Sequence, residues 1–231
     1  MSPSPVLQAG AFKKEISRFK LAINSGCPLR CEYCFIDKEA GEVLPLGLAL
    51  KAVDFALDSL GEDKKLLIYG GEPFLEFPSV RSIILHARRR GAILKKTVSI
   101  SVATSGILVK KDQLSFLRDQ EVQLAVSIDG RQASHDRVRP LKGGGGSFRK
   151  IRQNIDLIMD ILPQRNLIAL LGVHPSQAAA FFSNYEYLLS LGFDSINIEV
   201  IHGFPWTSDN FRDFRCGLER MNSYMLEAVA S

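Results

Sequence analysis

The sequence predicts an α/β fold, and within that class an open or partial (β/α)6 barrel with parallel strands. Short apolar segments typical of strands alternate six times with longer segments in which apolar residues recur at helical spacing. Strands joined through helices pair in parallel by right-handed crossovers. The residues of chemical interest also follow predicted strands, where barrels and open α/β sheets place their sites. Alternation does not set strand order, so a flavodoxin-like doubly wound sheet is the alternative.

In the first third of the chain, each element has its own local signal. Residues 19–23 alternate apolar with polar or small side chains, which predicts a first strand that runs into a cysteine-rich loop. Residues 44–57 carry apolar side chains at spacings of three and four and stop near Gly61, which predicts a helix. Residues 65–69 form a short apolar run, and Pro73 prevents it from continuing as a central strand.

The same alternation continues through the rest of the chain. Segments rich in apolar and β-branched residues predict strands at residues 98–103, 123–128, 167–173 and 195–201. Helical spacing predicts helices at residues 80–90, 110–119, 147–161, 177–191 and 209–230. Ser147 is the expected N-cap of the helix that it begins. The long polar loop before it ends in the glycine run Gly143–Gly146, which predicts a flexible connection.

The composition is that of an ordinary globular protein. With 231 residues, of which 46% are hydrophobic and 23% charged, the chain is long enough for one large α/β domain. A net charge of +4 is too small to indicate nucleic-acid binding by itself. The first 17 residues lack the features of a secretory signal, and no apolar run approaches the length that spans a bilayer. We therefore expect a cytoplasmic protein whose thiols stay reduced.

Three of the four cysteines lie within eight residues, at Cys27, Cys31 and Cys34. These spacings let one loop turn three thiolates toward one point, which suits a metal ion or an iron–sulfur cluster. A disulfide would close a small strained ring and leave one thiol over. A cluster of four irons held by three cysteines leaves one iron open for a further ligand.

A structural zinc site is the alternative use of these cysteines. Zinc in such a site needs a fourth protein ligand, which would come from elsewhere in the chain. The candidates are Cys216, His86, His135, His174 and His202. For Cys216 itself we expect a buried thiol that behaves as a small hydrophobic residue.

The pattern Cys27-x-x-x-Cys31-x-x-Cys34, with Tyr33 just before the last cysteine, resembles the signature of the radical S-adenosylmethionine (radical SAM) enzymes. The resemblance implies a partial (β/α)6 radical SAM barrel with a [4Fe-4S] cluster on the three cysteines. It implies that S-adenosylmethionine chelates the open iron through its amino and carboxylate groups, and that Tyr33 helps to hold it. The reduced cluster would cleave S-adenosylmethionine to methionine and a 5′-deoxyadenosyl radical.

A second motif, after the second predicted strand, consists of Gly70, Gly71, Glu72 and Pro73. It resembles the GGEP motif of that family, whose backbone and acidic side chain receive the amino group of S-adenosylmethionine. Glycines allow the backbone to approach a ligand closely, and a carboxylate accepts hydrogen bonds from an ammonium group. Taken alone, the tetrapeptide is typical of a turn with a solvated glutamate.

Two further segments follow the third and fourth strands. Thr104 and Ser105 stand where relatives that modify peptides often carry Thr-Asn-Gly, and the serine hydroxyl can still donate to a ribose or carboxylate oxygen. Ser127, Asp129 and the glycine after it match the Ser-x-Asp-Gly of sulfatase-maturase-like enzymes. The resemblance implies that these residues, together with Arg139, hold the ribose and the carboxylate of S-adenosylmethionine.

The family pattern is not complete in this part of the chain. Arg131 replaces the usual proline after Asp-Gly, whereas His135 and Asp136 fit the sulfatase-maturase subgroup, as does the glycine run. An alternative role for Arg139 is that of a surface residue or an ion-pair partner of Asp136. His174 and His202 follow predicted strands and are candidates for a general base, although histidines in such places are as often structural.

The resemblance divides the chain into three parts. We expect an N-terminal extension at residues 1–17, a radical SAM core at 18–205 and a C-terminal helix at 206–231. Relatives that mature peptides usually continue into a C-terminal domain with further clusters, so the last helix could begin such an extension. Either the chain is a truncated product of a longer reading frame, or it is a stand-alone core.

The resemblance to the anaerobic sulfatase-maturase subgroup implies an enzyme that abstracts hydrogen from a peptide or protein side chain. Its expected partners are that substrate and an electron donor such as flavodoxin or ferredoxin, with no membrane and no nucleic acid. Three alternatives stay open. They are a radical SAM enzyme that acts on a small molecule, a non-catalytic or truncated module that binds a peptide or partner protein, and a zinc-bound scaffold.

Overall fold

The computed structural model describes residues 14–38 and 40–230 of the chain. Most of the predicted N-terminal extension, residues 1–13, therefore lies outside the described residues. No helix within the described ranges has both the length and the apolar character needed to cross a membrane.

Six parallel strands form one sheet that curls into an open half-barrel. The strands are β1 (Arg18–Ala22), β2 (Asp63–Tyr69), β3 (Thr97–Thr104), β4 (Gln123–Ser127), β5 (Leu167–Val173) and β6 (Ile196–Val200). They pair in sequence order from β1 to β6. This order excludes the doubly wound alternative, because a doubly wound sheet reverses its strand order at a switch point. The predicted partial (β/α)6 barrel is confirmed.

Helices follow the strands and cover one face of the sheet. They are α1 (Leu46–Asp58), α2 (Phe77–Leu94), α3 (Lys111–Asp119), α4 (Gln132–Val138), α5 (Phe148–Ile161), α6 (Phe181–Ser190) and α7 (Ser208–Ala230). The alternation along β2 shows how the two faces differ. Leu66 and Ile68 are buried against the helices, whereas Leu67 and Tyr69 point into the half-open lumen. The apolar core thus lies between sheet and helices.

Strand register places the two main sequence motifs side by side. β1 pairs with β2 from Arg18 opposite Lys65 to Ala22 opposite Tyr69, so both strands end at the same level. The pairing continues beyond the strands, because the amide of Gly71 donates to the carbonyl of Asn24 at 2.8 Å. The cysteine loop after β1 therefore begins next to the Gly-Gly-Glu-Pro turn after β2.

The structure differs from the predicted elements mainly where a proline or a polar helix intervenes. The 3-10 turns Pro73–Glu76 and Pro175–Ala180 precede α2 and α6, so α6 begins four residues later than the predicted start at 177. The predicted polar loop after β4 contains the helix α4, which carries only two buried side chains, His135 and Val138. A seven-residue helix with so little apolar periodicity gives no clear signal in sequence.

The last helix packs on the turn before α6 and on α6 itself. The rings of Phe181 and Phe214 meet edge to face with centroids 4.9 Å apart, and Gly217 lies directly against Phe181. Cys216 is exposed on this helix, so the expectation of a buried thiol is wrong. The neighbouring positions in the helix supply the packing contacts instead.

Candidate cofactor site

A cavity of about 330 Å³ opens at the carboxyl ends of the strands. It brings together most of the residues that the motifs identified. Those that line it are Cys27, Cys31, Cys34, Tyr33, Gly70, Gly71, Thr104, Ser105, Ser127 and Arg139. Glu72, Pro73 and Asp129 are buried and are not among the lining residues. The cavity is therefore built from four strand-end loops and from the segment that follows α4.

Several lining residues carry no motif and were missed in the sequence. Leu67 and Leu170 form apolar parts of the wall, and Tyr69 lies above Leu67 on the same strand face. Lys20 and Glu199 come from the two edge strands, so a cation and an anion line opposite sides of the open barrel. The alternation of each strand was the available signal, because it places these residues on the face away from the helices.

The cysteine loop is supported by residues 138–142, which we call the brace segment. The amides of Arg30 and Glu32 each donate at 2.8 Å to carbonyls of the brace segment, and the amide of Lys142 donates back to the cysteine loop at 2.7 Å. An isolated bridge between Leu29 and Leu141 completes the pairing. The part of the chain just before the glycine run therefore supports the loop that holds the thiols.

Burial dominates the chemistry of the thiols in the protein without metal. It raises the pKa of Cys27 to about 11 and also raises the pKa of Cys31, against the attraction of Lys38 and, for Cys31, of Arg139. Both thiols therefore stay protonated near neutral pH. Metal binding would release these protons, because coordination to a cation stabilises the thiolate.

The residues fit an iron–sulfur cluster in position and charge. Within residues 14–38 and 40–230, no three or more His, Cys, Asp or Glu side chains are grouped so that they could hold a metal ion. A four-iron cluster has a different requirement, because each cysteine binds a separate iron. Three half-buried thiols border one cavity, with Lys38 and Arg139 beside them to balance negative charge.

The two glycines of the turn after β2 are needed for contact between loops. A Cβ atom on Gly71 would lie well inside 3.0 Å of the carbonyl oxygens of Ser25 and Gly26. Gly70 has a φ of +152° and leaves room for the backbone of Asn24. The backbone of the turn therefore packs against the cysteine loop, and its cavity side is open to a ligand.

The carboxylate of Glu72 accepts four hydrogen bonds from other parts of the protein. Its carboxylate is fully buried and accepts hydrogen bonds from Thr104 Oγ1 at 2.7 Å and from the amide of Ser105 at 2.8 Å. The amide of Phe74 and the hydroxyl of Ser105 donate to it as well. Burial raises the pKa of Glu72, and these donors oppose that rise. Glu72 thus joins the turn after β2 to the loop after β3, and Pro73 begins the buried 3-10 turn behind it.

Replacing Glu72 with glutamine is expected to lower the free energy of unfolding by about 3 kcal/mol. Each carboxylate oxygen of Glu72 accepts from N–H or O–H donors, and glutamine replaces one of these oxygens with an NH2 group. Because an NH2 group cannot accept hydrogen bonds, buried donors at that position would lose their acceptor. Urea unfolding followed by circular dichroism measures the loss. The exposed Glu62→Gln is the matched control and should unfold at the urea concentration of the wild type. Equal stability of both variants would contradict the role given to Glu72.

Asp129 connects three parts of the site from behind the cavity wall. Its Oδ2 accepts from the hydroxyl of Tyr33 at 2.5 Å and from Nε of Arg139 at 2.8 Å. Its Oδ1 accepts from the amide of Gly172 on β5 at 2.9 Å. Arg139 is therefore neither a surface residue nor a partner of Asp136. Burial by itself would lower the pKa of Arg139. The interactions with Asp129 and Tyr33 have a larger effect, and they hold the arginine pKa above its usual value.

His135 and Ser147 continue this network toward α5. Nδ1 of His135 accepts from the amide of Asp129 at 3.2 Å, so its Nε2 carries the proton that faces the Ser147 hydroxyl at 2.9 Å. Burial lowers the pKa of His135 to about 4, which keeps the ring neutral. Ser147 in turn donates to the carbonyl of Arg139 at 2.6 Å. Ser147 is the N-cap residue of α5, as predicted, but its hydroxyl does not cap the helix. The first amide of α5 donates to Asp136 instead.

The two histidines considered as general bases lie outside the cavity wall. His174 is buried against Phe204, with ring centroids 4.4 Å apart, and its Nδ1 lies 2.8 Å from the Ser176 hydroxyl. His202 is exposed beyond β6. Neither side chain is among the cavity-lining residues. Their placement favours a structural role for His174.

Comparisons with known proteins identify the family and the fold of this chain. The family model of the radical SAM superfamily matches residues 21–184. The serine-type anaerobic sulfatase-maturating enzyme of Klebsiella aerogenes is 25% identical over 211 residues, which are 86% of this chain and 52% of that protein. The chain thus spans about half the length of the curated relatives that it matches.

Solved structures show the same fold at low sequence identity. Native anSMEcpe with bound AdoMet matches with a TM-score of 0.79 at 17% identity. The match covers 91% of this chain and 61% of the anSMEcpe chain. Native anSMEcpe with bound AdoMet and the Cp18Cys peptide matches with a TM-score of 0.75 at 19% identity. That match covers 88% of this chain and 58% of the anSMEcpe chain. Members of the superfamily use a [4Fe-4S] cluster and S-adenosylmethionine. Because the family model matches more than half of its residues, this chain belongs to the radical SAM superfamily.

Proposed function

We propose that the chain cleaves S-adenosylmethionine reductively at a [4Fe-4S] cluster and abstracts a hydrogen atom from a peptide or protein side chain. The observation that carries the proposal is the single cavity that joins the three cysteines to the Gly70–Gly71 backbone and to Ser127. When bound, the cluster and S-adenosylmethionine supply the one-electron chemistry, and the protein fixes their geometry. The cysteines Cys27, Cys31 and Cys34 would hold the cluster.

Different groups of the protein would bind different parts of S-adenosylmethionine. Backbone carbonyls of Gly70 and Gly71 would accept from its ammonium group. The hydroxyl of Ser127 and the guanidinium of Arg139 would donate to ribose and carboxylate oxygens, since both line the cavity. The hydroxyls of Thr104 and Ser105 are engaged with Glu72, so these two residues would contribute mainly wall and shape.

Tyr33 would serve the site through its ring. Its hydroxyl donates to Asp129, and burial is the main cause that raises its pKa above the ordinary value, so it stays protonated. The ring lines the cavity, and the guanidinium carbon of Arg139 lies 5.2 Å from the ring centroid. The aromatic side chain therefore shapes the cofactor space and packs beside the cation that borders it.

The lumen supports a substrate larger than a metabolite. The half-barrel is open between β1 and β6, so one end of a long molecule can remain outside while a side chain enters. Leu67 and Leu170 offer an apolar wall, and Lys20 and Glu199 line it on opposite edge strands. The solved relative that binds the Cp18Cys peptide supports a peptide as the substrate class.

An external electron donor such as flavodoxin or ferredoxin would reduce the cluster. The side chain of Phe35 next to Cys34 is 85% exposed, so the cysteine loop reaches the protein surface on this side. An electron can therefore reach the cluster without passing through the core. The exposed loop and its free thiols suit a reducing compartment such as the cytoplasm.

The test combines anaerobic reconstitution with isotope transfer. The protein is loaded with iron and sulfide, reduced with dithionite and given S-adenosylmethionine with peptides that carry a Cβ-deuterated serine or cysteine. We expect 5′-deoxyadenosine that contains deuterium. Free deuterated serine and cysteine are the controls, and transfer from them alone would favour the small-molecule alternative. A loaded cluster without any 5′-deoxyadenosine would favour the non-catalytic module.

A further inference from the structure

Asp129 is a fully buried carboxylate whose contacts all reach other elements of the fold. Its two oxygens accept from Tyr33 in the cysteine loop, Arg139 after α4 and Gly172 on β5. A buried charge is costly unless it is paired and hydrogen-bonded, and this one is both. A direct contact with S-adenosylmethionine would require Asp129 to give up one of these partners and reach through the cavity wall.

The pairing also determines where Arg139 points. Asp129 binds Nε of Arg139, which leaves the terminal nitrogens of the guanidinium free for other groups. One of them, Nη1, lies 4.0 Å from the sulfur of Cys31, and the side chain lines the cavity. Asp129 thus directs the far end of Arg139 toward the cysteine loop and the cofactor space.

Two neighbouring features hold Asp129 in this position. Its backbone amide donates to His135, which is buried and neutral. A Cβ atom added to Gly172 would lie 2.9 Å from the Tyr33 hydroxyl and 3.2 Å from Asp129 Oδ1. The absence of a side chain at residue 172 is therefore what lets the Tyr33–Asp129 pair approach β5.

We propose that Asp129 is a positioning residue that acts on S-adenosylmethionine only through Arg139. It replaces the direct cofactor contact that the sequence motif implies for Asp129. The inference rests on the proposed function in one respect, namely that Cys31 and Arg139 border the bound cofactors. It does not depend on which substrate the enzyme takes.

The test measures S-adenosylmethionine binding to the reconstituted protein by anaerobic equilibrium dialysis, without turnover. Asp129→Asn should weaken binding roughly 10- to 100-fold, the usual effect of losing an outer-shell partner. Arg139→Gln should weaken it by a similar factor. The double variant should be within about twofold of Arg139→Gln, because residues that act through one another are not additive. Iron and sulfide content are measured in every sample.

Two more variants keep the test decisive if Asp129→Asn does not fold. Gly172→Ala would press on the Tyr33–Asp129 pair while leaving every charge in place, and it should weaken binding in the same direction. Asp156→Asn is the matched control, because Asp156 pairs with Arg152 at 2.6 Å on the exposed face of α5. We expect this control variant to bind S-adenosylmethionine with wild-type affinity.

The possible results separate this inference from the proposed function. Wild-type affinity in Asp129→Asn, or losses that multiply in the double variant, would overturn the positioning role. So would wild-type affinity in Gly172→Ala. A wild-type protein that takes up no cluster, or takes one up and binds no S-adenosylmethionine, would instead contradict the proposed function. The two failures therefore have different signatures.

Discussion

Replacing Cys31 with alanine should abolish cluster retention and lower 5′-deoxyadenosine formation by roughly 100-fold or more, beyond the 10- to 100-fold typical of an outer-shell change. Each thiolate binds a separate iron, so a loop with two cysteines leaves two irons without a protein ligand. Iron and sulfide analysis after gel filtration measures retention, and chromatography of the products measures cleavage. Cys27→Ala and Cys34→Ala should give the same result.

The chain contains its own control for this experiment. Cys216 is exposed on α7 and is not among the residues that line the cavity. Cys216→Ala therefore removes one thiol without touching the proposed site, and its iron content and product should match the wild type. Full iron content in Cys31→Ala would show that the three cysteines are not the ligands. Zinc bound in place of iron would favour the scaffold alternative.

The sequence predicted the fold well because its signals are local. Leu66 and Ile68 alternate with lumen-facing neighbours along β2, and such alternation depends only on adjacent residues. Strand order was open because it depends on which strands meet, and the structure resolves it in favour of the sequential barrel. The helix α4 was not predicted because it lacks such a local signal. Its stability comes from the burial of His135 and Val138 against other elements.

The site was predictable only as far as its motifs are contiguous. Cys27, Cys31 and Cys34 share one loop, so spacing alone brings them near one point. The Tyr33–Asp129 hydrogen bond joins residues 96 positions apart, and no local pattern indicates it. Glu72 shows a further limit. Its motif places it beside the cavity, but the direction of its carboxylate depends on donors from the loop after β3.

The second large effect is expected from Gly71→Ala. The new Cβ atom would overlap the carbonyl oxygens of Ser25 and Gly26, which are backbone atoms of the cysteine loop and cannot rotate away. We expect a loss of about 1–3 kcal/mol in the free energy of unfolding, typical of overpacking, and loss of the reconstituted cluster. Thermal unfolding of the protein without metal and iron analysis after reconstitution measure the two effects separately.

Gly143→Ala is the matched control for that substitution. Gly143 lies in the glycine run, has no heavy atom within 4 Å of its added Cβ and adopts no strained φ. The free energy of unfolding of Gly143→Ala should stay within about 0.5 kcal/mol of the wild-type value, as for most surface changes. If Gly71→Ala keeps full stability and its cluster but binds S-adenosylmethionine more weakly in equilibrium dialysis, the glycine serves ligand approach alone. If stability and cluster are lost together, the contact between the two loops is what builds the site.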